Sequence, residues 1–259
     1  MKRLIAMLLV IAMLACVFAG CAKKEATDFD NIAKDKEVIV GITDFAPMDF
    51  LDANGEWTGF DAELARAVFG KLGLECEFVE IDWDNKILEL DNGSIDCVWN
   101  GMTLTDEVKS AMSCSKPYVV NAQVVVMKAD NPAGVGATEE SIADLTFAVE
   151  AGSAGEVAAR DREYANVTSL AAQSNALMEV ESGTADACII DLTMANAMTG
   201  AGTSYADLTS VLELDKEEYG IGFRKGSDLP EKVNKILNDM KADGSLQKLA
   251  DTYELVLCD

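Results

Sequence analysis

Apolar residues along this chain fall into two kinds of run. Val38-Ile39-Val40-Gly41-Ile42 is continuous and β-branched, the pattern of a strand buried on both faces. From Gly59-Phe60-Asp61 the spacing turns helical. Leu64, Ala65, Val68, Phe69 and Leu72 share one face, with Asp61 suited to cap the start and Gly73 to end it. Cys76 to Ile81 alternates as a second strand, Lys86 to Leu90 forms a short helix before the Asp91-Asn92-Gly93 turn, and Ile95 to Trp99 is a third strand. Strand–helix–strand repetition of this length predicts a parallel α/β sheet.

Two stretches read as crossings between lobes. One is the apolar strand Asn121 to Lys128, ending in the loop 129–136; the other is the glycine-spaced strand Tyr219 to Gly226. Between them lies a second α/β unit: strand Thr146 to Val149, the Gly152-Ser153 turn, a helix from Glu156 and strand Ala187 to Ile190. A helix over Lys232 to Ala242 follows, with Val233, Ile236, Leu237 and Met240 on one face. A chain that leaves one lobe, builds another and returns has two crossovers and an interlobe cleft. These signals put lobe 1 at 37–123 and 220–259, and lobe 2 at 124–219.

The leading segment is of another kind. Lys2 and Arg3 precede the apolar run Leu4 to Phe18 and the ending Ala19-Gly20-Cys21, which together describe a secretory signal over 1–20. The apolar run is too short for a spanning helix. Residues 21–36 are polar, without an apolar period, and are predicted to be a tether. About 220 residues remain, enough for one large or two smaller cores. The net charge of −24, from 45 acidic against 21 basic residues, argues against nucleic acid or an anionic membrane surface as a partner. Histidine is absent, which removes histidine-dependent triads and most zinc sites; no metal or cofactor is expected. Cys76, Cys97, Cys114, Cys188 and Cys258 have no CxxC spacing and make a poor disulfide framework. Cys97 and Cys188 fit as small buried hydrophobes, with a Cys97–Cys114 bridge left open.

Candidate chemistry concentrates in Asn100-Gly101-Met102-Thr103-Leu104-Thr105-Asp106-Glu107-Val108-Lys109. A strand runs into a Gly-Met-Thr turn and then a helix start, offering backbone N–H groups and a hydroxyl to a small anionic group. The stretch resembles the ligand cradle of family 3 of the bacterial extracellular solute-binding proteins, which take up amino acids. Gly59 to Ala65 is similar to the family's GFD-x-[DE]-[LIVM]-[AG] signature. Ser115-Lys116-Pro117-Tyr118, Ala151-Gly152-Ser153, Asp186 to Asp191 and Asp243-Gly244-Ser245-Leu246 follow in the family's order, so that the likeness spans residues 37–257. It implies an α/β, two-lobed fold of the periplasmic-binding-protein type II (Venus-flytrap) class. Such a clamp closes on a small ligand and delivers it to an ABC permease. Phe18-Ala19-Gly20-Cys21 likewise resembles a lipoprotein signal. That implies a lipidated, palmitate-bearing Cys21 and an extracytoplasmic protein anchored to the membrane.

Matched position by position, the resemblance implies a ligand site with Phe45 and Trp83 as aromatic walls. Gly101 and Thr103, beside Asn100, would contact both ends of an α-amino-acid group. Gly152, Ser153 and the Ala154 amide would favour an anion at a helix start, and Asp191 would take the α-ammonium. Glu150 stands where relatives place a side chain on the ligand. Val108 departs from the pattern, since the family carries a carboxylate-gripping arginine there. Three explanations stay open: Lys109 swings into the place, the Thr103, Ser153 and Ala154 donors suffice, or the ligand has no α-carboxylate. The expected ligand is a polar amino acid, neutral or cationic because Glu150 would repel an acidic side chain; a polyamine or similar amine is the alternative. A sensory lipoprotein and a dehydratase-type enzyme on the same scaffold are further alternatives, although the resemblance implies no catalysis. Nothing beyond the cleft suggests an oligomer, so a monomer is expected.

Overall fold

The structure, a computed structural model, describes residues 26–259; the signal, Cys21 and the first part of the tether lie outside them. The described chain opens on a helix where a tether was expected, α1 (Asp28–Asp35). Its start is a capping box: Thr27 accepts from the Asp30 amide and Asp30 from the Thr27 amide. Phe29, Ile32 and Ala33, at i, i+3 and i+4, pack on the core. Two turns hold only that one short apolar period among charges, which is why it does not stand out in the sequence.

In chain order there follow β1 (Glu37–Ile42), β2 (Phe50–Leu51), β3 (Trp57–Thr58), α2 (Phe60–Lys71), β4 (Glu75–Glu80), α3 (Lys86–Asn92), β5 (Cys97–Thr103), α4 (Asp106–Ala111), β6 (Ser113–Cys114) and β7 (Val119–Lys128). Then come α5 (Glu139–Ile142), β8 (Thr146–Glu150), α6 (Ala154–Asp161), β9 (Asn166–Leu170), α7 (Gln173–Ser182), β10 (Ala187–Asp191), α8 (Leu192–Met198), β11 (Leu208–Phe223), α9 (Leu229–Ala242) and α10 (Ser245–Thr252).

The main sheet runs β4-β1-β5-β11-β7-β10-β8-β9. In lobe 1, β1 lies parallel to both β4 and β5; in lobe 2, β8 lies parallel to both β9 and β10. The link between them is the antiparallel pair β7–β11, which runs from Leu208 opposite Lys128 to Tyr219 opposite Val119 with register shifts between Ser210 and Leu212 and between Glu213 and Lys216. Beyond it β11 pairs with β5, and β7 pairs with β10, so both strands serve both lobes. The second crossing therefore begins at Leu208, earlier than its glycine-rich end suggests. Residues 209–218 are partly buried or exposed and end in the charged run Asp215 to Glu218, which masks the strand, whereas the end of β11 is fully buried.

One core gathers Val38, Val40, Phe60, Leu64, Phe69 and Trp99 with Val233 and Leu237 of α9; another gathers Val125, Phe147, Val149 and Ile189 in lobe 2. Gly59, not Asp61, is the N-cap of α2, and Asp61 is buried inside lobe 1. All five described cysteines are free thiols, so Cys97 and Cys114 do not pair. Helix α1 is tied down at its start: the Phe29 amide donates to Asp228 (3.0 Å), and Arg224 donates to Asp28 and Asp96 (2.8 Å each) and to the Ile95 carbonyl. Arg224→Ala should lower the free energy of unfolding by about 1–3 kcal/mol, the range for a partly buried charged hydrogen-bond centre. Urea denaturation checks this, and an unchanged midpoint would mean that α1 is not held in this way.

Candidate ligand-binding site

Where the lobes face each other they enclose a cavity of about 550 Å³, counted out to its open mouth. All ten cleft residues carried over from the resemblance line it, from Phe45 and Trp83 through Glu150 to Asp191.

On the lobe 1 side β5 continues as a strand through Thr103, where a turn was expected. Gly101 has φ +56, and a Cβ there would run into the Phe45 ring, so this wall needs glycine. The Gly101 amide donates to Asp61 at 2.6 Å, and Asp61 also accepts from Trp99 Nε1 and the Tyr118 hydroxyl. Burial pushes Asp61 up to about 7, against the pull of those donors. The Asn100 amide is spent on Thr43, accepting from its N–H (2.9 Å) and donating to its Oγ1 (2.7 Å). Thr103 Oγ1 donates to Glu217 at 2.8 Å, so its proton, expected to serve the ligand, is already committed. Thr105 does cap α4, accepting from the Val108 amide. Val108 is buried with Trp83, Leu90 and Met102, while Lys109 is exposed and does not line the cavity. Lysine at that position does not replace the missing arginine.

On the lobe 2 side Ser153 caps α6, accepting from the Glu156 amide at 3.1 Å, which leaves its own proton to give. The Gly152 amide is taken by Glu156 (3.0 Å), and its carbonyl accepts from Lys86 of lobe 1 (2.8 Å). A Cβ on Gly152 would stand 2.7 Å from Asp84 Oδ1 and 2.8 Å from Asp84 Cα, so the lobes touch here. Gly152 thus serves lobe contact, and its polar atoms are occupied. Glu150 is buried, which pushes it up to about 8 against the pull of Lys86. At neutral pH it is largely protonated, so repulsion of acidic side chains, expected above, is weak.

Asp191 is buried at the end of β10. Its carboxylate accepts from Asn121, Gln173, Gln123 Nε2 (3.0 Å) and the Tyr219 hydroxyl (2.9 Å). The same Asn121 and Gln123 amides donate to Glu217 at 2.6 and 2.9 Å. Burial and the neighbouring Glu217 hold Asp191 well above the usual carboxylate range. Asn121, Gln123, Glu217, Tyr219, Gln173 and Lys86 escaped the sequence reading. Asn121-Ala122-Gln123 did carry a signal, two amides on one face of an otherwise apolar strand. Among the described residues no group of three or more His, Cys, Asp or Glu is placed to hold a metal ion.

Residues 38–255 match the profile of the bacterial extracellular solute-binding proteins, family 3. The chain is 32% identical to the arginine-binding extracellular protein ArtP of Bacillus subtilis over 93% of its length and 95% of the relative's. It is 27% identical to the L-cystine-binding protein TcyJ of Escherichia coli, over 93% of this chain and 92% of that one. Holo ArgBP from T. maritima superposes with a TM-score of 0.77 at 32% identity, over 85% of this chain and 98% of that one. The two-lobed type II architecture expected from the resemblance is the one these proteins share.

Glu150 has a pH signature. It titrates near 4.5 when free and near 8 here, so folding favours the protonated acid. Its stabilising contribution is complete below about pH 4.5 and is lost as pH rises through about 8. In Glu150→Gln the fall in Tm from acid to alkaline pH should be shallower than in the wild type; equal slopes measured by calorimetry would refute the assignment.

Proposed function

The chain belongs to the bacterial extracellular solute-binding proteins, family 3, and we propose that its interlobe cavity captures a polar amino acid, neutral or cationic, and hands it to the permease of an ABC importer. The observation that carries this reading is Asp191: a carboxylate sealed in the cavity, placed by four side chains, is a site for an ammonium group. Phe45 and Trp83 offer apolar and π surface for the rest of the ligand. Asn100, Gly101, Thr103, Glu150, Gly152, Ser153 and Ala154 complete the proposed shell, some by contact and some, as their hydrogen bonds indicate, by holding shape. The mechanism is a population shift: a ligand that touches both lobes only when they are closed favours closure, and the permease reads the closed form.

The relatives are binding proteins, one named for arginine and one for cystine, and the chain acts as they do, extracytoplasmically and without chemistry of its own. We further place residues 1–20 as its signal and Cys21 as its lipid anchor, on the sequence Phe18-Ala19-Gly20-Cys21, and take the receptor to be a monomer. An amine receptor is the second reading, favoured by the apolar Val108 and the exposed Lys109.

Thermal-shift screening of ligand-stripped protein against the twenty amino acids, their decarboxylated amines and polyamines tests both readings. A ligand at 100 times its Kd should add about 2.7 kcal/mol, and Asp191→Asn should abolish the shift. Stabilisation by amines alone would decide for the second reading. Labelled palmitate should enter the wild-type chain in cells and not Cys21→Ser; equal labelling would remove the anchor from the proposal.

A further inference from the structure

Lys86 is the one cation among the residues that line the cavity, against Glu107, Glu150 and Asp191. It stands in the first turn of α3 and is 7% exposed. Its Nζ lies 4.8 Å over the Trp83 ring and donates to the Trp83 carbonyl (3.1 Å) and, across the cleft, to the Gly152 carbonyl (2.8 Å). An ammonium has three donors, and only two are spent. No carboxylate of the described residues comes within 4.0 Å of it. A buried ammonium with neutral partners only, and a donor to spare, is costly to keep unless an anion joins it. Glu150, the acid that acts on it most, is itself held largely protonated by burial and does not fill that role.

We propose that Lys86 is the residue that takes the carboxylate of the ligand, while Asp191 takes its ammonium. The inference rests on the amino-acid reading above and names the specificity determinant within it. Lysine is a point charge on a flexible stem, so its grip is directional only through the Trp83 and Gly152 carbonyls that fix it. The same contacts make anion capture depend on closure, because one of them belongs to lobe 2.

The test is calorimetric binding, to the whole mature protein, of the twenty amino acids and of their carboxamides, which replace the carboxylate by a neutral amide. The wild type should prefer the acid that binds best over its amide by roughly 10-fold or more, the worth of a charge-assisted bond. Lys86→Met should lose most of that preference, Lys86→Arg should keep part of it, and Lys86→Met with Glu150→Gln should lose it as the single variant does. An undiminished preference in Lys86→Met would overturn the proposal and leave the amino-acid reading intact. Its return in the double variant would also overturn it, since Lys86 would then only offset Glu150. No amino acid binding the wild type would remove both.

Discussion

A carboxylate sealed from water must be surrounded by donors, and Asp191 draws its donors from three separate elements. Asn121 and Gln123 come from β7, Tyr219 from β11 and Gln173 from α7. Two of those elements are the strands that join the lobes, so the groups that hold the charge and the strands that carry any relative motion are the same residues. Glu217, on β11 opposite Asn121, draws on the same two amides and on Thr103 of lobe 1. Crowding of this kind raises the cost of the Asp191 charge, and an arriving ammonium relieves it. The acids of the cavity thus bear on one another as well as on its shape.

Elsewhere the cleft depends on missing side chains. Gly101 lets the Phe45 ring close over β5, and Gly152 lets lobe 2 come down onto Asp84. Each residue also has a left-handed backbone that other residues resist. Glycine at these two points sets how near the walls can approach, and the Lys86–Gly152 hydrogen bond marks the point of contact.

The strands and helices with strong periods were legible in the sequence: β1, α2, β4 and β10 lie within two residues of their apolar runs. Weak periods were not. Helix α1 carries three apolar residues among charges, and β9, with the exposed pattern of Asn166 to Leu170, offers almost no alternation to read. The ten cleft positions were legible because motif order places them, yet their hydrogen-bond partners were not. Asn100 turning to Thr43 and Thr103 to Glu217 are matters of long-range packing, which sequence spacing does not encode. Lys86 was hidden for the opposite reason: a lysine in a short helix looks like a solvated charge until the other lobe covers it.

The fastening of α1 decides which lobe the N-terminal segment belongs to. Asp28 and Phe29 are bonded to Arg224 and Asp228, and Arg224 also grips Asp96, so all of these ties end in lobe 1. Arg224 directly follows β11, so the helix is fastened beside the end of that strand that pairs with β5. Helix α1 and the segment that leads into it are thus part of lobe 1, and none of these bonds reaches lobe 2.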